Sequence, residues 1–279
     1  MLAIGRANKK ENALNSMSAN ALPISLVVLA HNEASNIRRC LESARSLVTE
    51  IVVVVNDCTD GTDNIARDEF GATVYEESWH GHRDQKNIAL QKSTQPWVLC
   101  LDCDEELTPE LRDEIHRFVT EDDPAHNGAS FPRRNWFLGR WIKHGDWYPD
   151  RNTRVARRGN AIWKGSREHD VLIVDGKVKR LRCDLLHYSH PTMNRQIEKI
   201  NYFADIFLQR KLDAGAKFRL SQALVRPIWR FFRAYILRGG FLDGYPGYYI
   251  ALTNAFSALV RHTRMYEHAK SSEPSSSSR

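Results

Sequence analysis

The stretch "ISLVVLAHNE", Ile24 to Glu33, decides the fold. Apart from Ser25, its first seven residues are apolar and several are β-branched. A run of this length without polar alternation reads as a strand buried on both faces, the kind a parallel sheet makes. His31, Asn32 and Glu33 then arrive at its carboxyl end. The same plan recurs down the chain. "EIVVVV" (Glu50–Val55) runs into "NDCTDGT", "ATVYE" forms a shorter strand, and "PWVLCLD" (Pro96–Asp102) runs into "CDEEL".

Helical signals separate these strands. Ser35 is placed to cap a helix whose apolar residues Ile37, Leu41, Ala44 and Leu47 recur at helical spacing. A second helix is expected around Asn64 to Glu69, closed by Gly71, and a third within "GHRDQKNIALQKS". Thr108 and Pro109 suit the N-cap and first turn of a fourth. Strands alternating with helices at this spacing predict an α/β protein with a mostly parallel central sheet. Ligands of such sheets sit beyond the carboxyl ends of the strands. His31-Asn32-Glu33, Asn56-Asp57 and Asp102-Cys103-Asp104 all fall at that edge.

The 279 residues carry a formal net charge of +6, which suits an anionic partner. The five cysteines, an odd number without two C-x-x-C pairs, read as reduced thiols of a cytosolic protein, not as a zinc site. No apolar run is long enough to cross a bilayer. Four segments are expected: a disordered leader at 1–22, a catalytic domain at 23–190, a helical extension at 191–268 and a disordered tail at 269–279.

Acids at a strand end suit particular chemistry. Alternate residues of an extended chain share a face, so Asp102 and Asp104 can converge on a hard divalent cation, Mg²⁺ or Mn²⁺. Such an ion clamps a diphosphate and stabilises it as it leaves. The plainer alternative is that the acids stay solvated and favour the following helix dipole, which fits Glu105 and Glu106. Three function classes follow. A metal-dependent enzyme acting on a nucleotide diphosphate accounts for the acids. A nucleotidyltransferase would want a Gly-rich phosphate loop, which "LAHNEASN" lacks. A basic nucleic-acid or membrane module leaves the acids unexplained, and acids in a nucleic-acid groove repel phosphate, so nucleic acid is not expected as a partner.

"SLVVLAHNEASNIRRCLESA", "EIVVVVNDCTDGT", "HRDQKNIAL" and "PWVLCLDCDEELTPEL" together resemble glycosyltransferase family 2, with its GT-A fold. "HGDWYPDRNTRVARRG", "REHD", "LLHYSH" and "YILRGGFLDGYPG" resemble the bacterial lipopolysaccharide-core enzymes that add β-glucose to inner-core heptose. The resemblance implies inverting transfer from a nucleotide-sugar, a UDP-sugar such as UDP-glucose. It places Asn32 and Glu33 beside the nucleotide, Asp60 in the "TDGT" loop, and Lys86 and Asn87 near donor phosphate or sugar. Asp102 and Asp104 match its D-x-D, which implies that both hold the metal at the donor, Asp104 the more directly, with His187 a third ligand. Each has a structural alternative: capping for Glu33 and Asp60, a surface lysine for Lys86, a buried hydrogen-bonded histidine for His187. One departure stands out. The family's base-binding aspartate falls at Val55, so Asn56 or Asp57 is expected to take over, since both accept hydrogen bonds.

Inverting transfer also needs a carboxylate to take the acceptor proton. "REHD" aligns Asp170 with the family's glutamate; Glu168, two residues earlier, and Asp150 follow as candidates. Arg154, with Arg157 and Arg158, is suited to donor diphosphate or an acceptor phosphate. "RPIWRFFRAYILRGG" sets arginines into an apolar face. It reads either as a helix lying on an anionic membrane, where a glycolipid or oligosaccharide acceptor would be met, or as a helix packed with its arginine edge in solvent. The first reading places the protein in the cytoplasm, peripheral on the inner face of the cytoplasmic membrane.

Overall fold

A computed structural model of the protein describes residues 21–166, 169–188 and 193–271. The leader before residue 21, the tail from 272 and Glu168 lie outside the described residues. The chain divides into two compact units, 1–133 with 150–187, and 134–149 with 188–279.

The first unit is built on a mixed sheet. β1 (Leu22–Ala30) lies between β2 (Val48–Val55) and β4 (Trp97–Asp102), parallel to both, and β3 (Thr73–Glu76) extends the parallel half beside β2. β4 then pairs antiparallel with β8 (Asp150–Arg157), and β8 with β6 (Gly128–Phe137). With β5 (Glu105–Leu107) and β12 (Leu185–His187), the order is β3-β2-β1-β4-β8-β6-β12-β5; β7 (Arg140–Trp141) and β11 (Val178–Arg180) pair with β6 off this path.

Period-2 geometry explains why the central strands are apolar throughout. Ile24, Leu26, Val28 and Ala30 face one layer, where helices Ile37–Ala44 and Pro109–Glu121 contribute Ile37, Leu41, Leu111, Ile115 and Phe118. Val27, Val54, Val98 and Cys100 face the other. There they meet Ala89 of helix His82–Lys92 and Trp163 and Leu172 of a separate antiparallel hairpin, β9 (Ala161–Ser166) with β10 (His169–Val174). Both faces are therefore covered, as a parallel sheet requires. Leu41, Leu99 and Ile115 are fully buried, and truncating such a residue to alanine costs about 2–5 kcal/mol.

Local signals held where they were strongest. Thr108 Oγ1 accepts from the Leu111 amide at 3.1 Å, with Pro109 in the first turn. Ser35 does not cap its helix: that helix begins after Asn36, and no side chain closes its end. The expected Asn64–Glu69 helix is a turn at Thr62–Asn64 that widens into a π-helical Ile65–Glu69.

The second unit holds three long helices, Met193–Asp213, Leu220–Phe232 and Gly244–Ser271, with a core of Phe137, Ile142 and Ile250. Buried Asp243 accepts from the amides of Lys143 and His144 at 3.0 and 2.7 Å, tying that segment to the turn before the last helix. No helix among the described residues is long and apolar enough to cross a membrane. All five cysteines are free thiols.

Candidate active site

The carboxyl ends of β1, β2 and β4 carry the polar cluster. β1 and β2 both end by turning through left-handed residues, Asn32 at φ 53° and Asp57 at φ 44°. This conformation is costly for most side chains and best tolerated by Asn and Asp. The two turns are laced together. His31 Nδ1 donates to the Asn56 carbonyl at 2.7 Å. Asn32 Oδ1 accepts from the Thr59 amide at 2.8 Å. Asp60 accepts from the Ala34 amide at 2.9 Å and the Thr62 amide at 3.0 Å, and the Thr62 hydroxyl receives the Glu33 amide at 2.8 Å. The Thr62 hydroxyl bond to Asp60, helped by these amides against a small burial penalty, holds the Asp60 carboxyl below its usual range. Both oxygens of Asp60 thus stitch the loops together. Asn56 differs: it is 8% exposed, and its side-chain oxygen is buried without a hydrogen-bond partner.

At the end of β4 the acids separate. Asp102 Oδ1 meets Lys86 Nζ at 2.9 Å, and Oδ2 meets Arg154 Nη2 at 2.7 Å. Burial alone would raise the Asp102 carboxyl; Arg154 and then Lys86 outweigh it and hold the group well below the carboxylate range. Asp104 instead faces His187, whose Nε2 lies 3.4 Å from Oδ2. Burial pushes the Asp104 carboxyl up, and the His187 bond and charge overcome that to lower it.

Glu105 was expected to be solvated and is not. It is fully buried in β5, where its Oε1 accepts from Arg154 at 2.6 Å and Arg133 at 3.1 Å, and its Oε2 from the Asp102 amide at 3.0 Å. Arg133 reaches on to Asp150 at 2.7 Å. Asp102, Glu105, Asp150, Arg133, Arg154 and Lys86 therefore form one continuous charge network. Sequence reasoning missed Glu105 and Arg133, because a long-range partner 28 or 49 residues away leaves no local trace.

Lys86 also lies over the Trp163 ring, 4.5 Å from its centroid. Its neighbour Asn87 binds both backbone groups of Trp163, donating to its carbonyl at 3.1 Å and accepting from its amide at 2.9 Å. Arg154 is 4% exposed, and both its hydrogen-bond partners are carboxylates. Asp170 sits near the start of β10 opposite Gly165, half-buried, with its charge in reach of Arg83. It forms no hydrogen bond or ion pair with the acids at the β4 end among the described residues.

Asp104 and His187 offer one carboxylate oxygen and one imidazole nitrogen side by side. That donor set suits Mn²⁺ or Mg²⁺ when phosphate and water complete the shell. Asp102 does not join them, since its oxygens face cations, and among the described residues no three His, Cys, Asp or Glu side chains gather to hold an ion. A metal held by these two residues would need phosphate or water oxygens for its remaining bonds.

The chain is similar to several known proteins. The family model described as "Glycosyl transferase family 2" matches residues 25–180. The lipopolysaccharide core biosynthesis glycosyltransferase LpsC of Rhizobium meliloti is 28% identical over 91% of this chain and 96% of its own length. The uncharacterized glycosyltransferase RP128 of Rickettsia prowazekii is 28% identical over 87% of this chain and 86% of its own. Among solved structures, mannosyl-3-phosphoglycerate synthase from Rubrobacter xylanophilus matches 71% of this chain and 76% of its own, at 18% identity and a TM-score of 0.47. The mixed sheet with its parallel half, the polar strand ends and the family match over more than half of the chain lead to one conclusion: this protein is a glycosyltransferase of GT-A fold and belongs to glycosyltransferase family 2.

Proposed function

We propose that this glycosyltransferase inverts the sugar it transfers, moving glucose from a UDP-sugar to a lipopolysaccharide-core or similar glycan acceptor. The observation that carries the reading is the unpartnered, buried Asn56 oxygen at the same sheet edge as Glu33, Asp57 and the Asp102–Asp104 strand end. A buried acceptor without a donor costs stability unless a ligand supplies one, and the ring N–H of uracil is such a donor. The function named for the R. meliloti relative, which this chain covers almost end to end, supports the acceptor class.

Asp104 and His187 would hold Mg²⁺ or Mn²⁺. When bound, the ion supplies positive charge to the departing diphosphate. The protein's own residues do the rest. Asn32, Glu33, Asn56 and Asp57 border the nucleotide, Asp60 fixes the loops that form its floor, and Asn87 steadies the Trp163 strand beside Lys86. Lys86, 16% exposed at its side chain, lies closest to donor phosphate, while Arg154 sets the orientation of Asp102 from below. Asp170 takes the acceptor proton as the hydroxyl oxygen bonds to the anomeric carbon from the face opposite the diphosphate; the carbon–oxygen bond to diphosphate breaks and UDP leaves. Glu168, outside the described residues, is the second candidate for that role. A lipid-linked acceptor would place the work at the inner face of the cytoplasmic membrane. Exposed apolar residues on helix Leu220–Phe232, Ile228 at 72% among them, support that site of action.

The test combines calorimetry of UDP-glucose, with and without Mn²⁺, and UDP release during turnover. Asp104→Ala is expected to weaken Mn²⁺-dependent donor binding. Asp170→Asn is expected to leave donor binding intact and to slow turnover by about 10²–10⁴-fold. Near-wild-type turnover in Asp170→Asn removes that residue as the base, and donor binding indifferent to metal in the wild type removes the metal site.

A further inference from the structure

The helical unit contains a cavity of about 330 Å³ that the transfer reaction does not use. Arg226 and Arg230, four residues apart and so on one face of their helix, line it with Trp229. Arg261 and His262 of helix Gly244–Ser271 close the other side, with Phe207 against them. No carboxylate lines the space. The side chains of Arg226 and Arg230 form no ion pair or hydrogen bond among the described residues, and the Arg261 Nε is buried without a hydrogen-bond partner. Asp205, on the same helix as Phe207, is already bound to Arg264. The chain from Ala214 to Leu242 carries six Lys or Arg and no acid at all.

Three guanidinium groups around one cavity repel one another, and among the described residues no carboxylate lines the cavity to balance them. Burial first, then Arg230 and Arg210, push the Arg261 guanidinium below its ordinary range. Burial first, then Arg226, Lys211 and Arg261, push the His262 imidazole below its own, which keeps it uncharged near neutral pH. Forked guanidinium donors without carboxylate partners fit the oxygens of a phosphate group. The outward side of the same helix is apolar and open: Leu224, Val225 and Ile228 are 59%, 62% and 72% exposed. A basic pocket bordered by such residues matches a helix lying in a membrane interface.

We propose that Arg226, Arg230 and Arg261 form a binding site for a phosphate ester, presented by a lipid headgroup or by a soluble sugar phosphate. The site lies wholly within the helical unit and shares no residue with the proposed donor site.

Full-length protein would be sedimented with vesicles of phosphatidylcholine alone and with about one-fifth phosphatidic acid, and titrated in parallel with glycerol 3-phosphate. The informative comparison is R226Q/R230Q against K217Q/R219Q, which removes two charges from the same segment outside the cavity. General attraction to an anionic surface contributes similarly for each charge, so it would weaken both variants alike. The site instead predicts that R226Q/R230Q loses at least about tenfold in affinity while K217Q/R219Q stays within about threefold. All four substituted residues are exposed, so thermal melts should match the wild type. Selective loss on the acidic vesicles assigns a lipid headgroup. Selective loss of glycerol 3-phosphate binding, with vesicles ignored, assigns a soluble phosphate ester. Equal losses in the two variants, or no wild-type binding of either probe, overturns the proposal.

Discussion

At the residue scale, the network around Asp102 sets both stability and its pH dependence. Glu105 is fully buried and satisfied by Arg154, Arg133 and one amide, so removing one partner strands charge in a dry place. Breaking such a pair costs about 3–5 kcal/mol. Asp102 is held well below the carboxylate range, against burial, by Arg154 and Lys86. A depressed native value means that the unfolded chain takes up this proton first as pH falls. The stabilisation is therefore whole above about pH 4, the ordinary aspartate range, and drains away below it toward the native value. Asp102→Asn is expected to lower stability at pH 7 and to flatten the fall in stability between about pH 4 and pH 2. Urea denaturation across that range checks it, and an unchanged acid slope would show that the Asp102 proton is not responsible.

At the element scale, one side chain anchors the backbone of the β9–β10 hairpin, whose Trp163 and Leu172 pack on the sheet. Asn87 binds the amide and the carbonyl of Trp163, doing for β9 what a neighbouring strand would do. Trp163 in turn floors Lys86. Asn87→Ala leaves two backbone groups of a buried residue unpaired, which costs about 1–3 kcal/mol. Faster amide exchange at Trp163, with the β1–β4 amides unaffected, is the expected outcome; equal acceleration throughout the sheet would mean that Asn87 supports the whole unit. This pair of hydrogen bonds was invisible in "HRDQKNIAL", where the resemblance placed Asn87 near donor phosphate or sugar and nothing pointed to Trp163. Thr108-Pro109 was legible, because a cap acts on amides three residues away.

At the scale of the whole molecule, each unit carries its own packing constraint. In the helical unit, a Cβ at Gly247 would sit 1.8 Å from the Gly240 carbonyl oxygen, and one at Gly240 would sit 2.6 Å from that of Ala234. Both contacts are with backbone, which cannot rotate aside. Gly247→Ala should therefore displace the Gly240–Asp243 turn and loosen the Asp243 bonds to Lys143 and His144. Overpacking of this kind costs about 1–3 kcal/mol, or more where backbone must move. Hydrogen exchange should rise at residues 143–144 and 240–247; unchanged protection there would show that the turn absorbs a methyl group freely.

The sequence by itself determined the parallel half of the sheet, its polar edge and the family, because buried strands, caps and strand-end acids are written in consecutive residues. It also marked the C-terminal part, 191–268, as helical. Only the tertiary structure decided how the acids divide. It assigned Asp102 to Lys86 and Arg154, Asp104 to His187, and buried Glu105 between two arginines. It also gathered Arg226, Arg230 and Arg261 around one cavity. The physical reason is range. Periodicity and capping act within a turn or a strand, whereas a charge is paired or stranded by whichever distant segment the fold brings beside it.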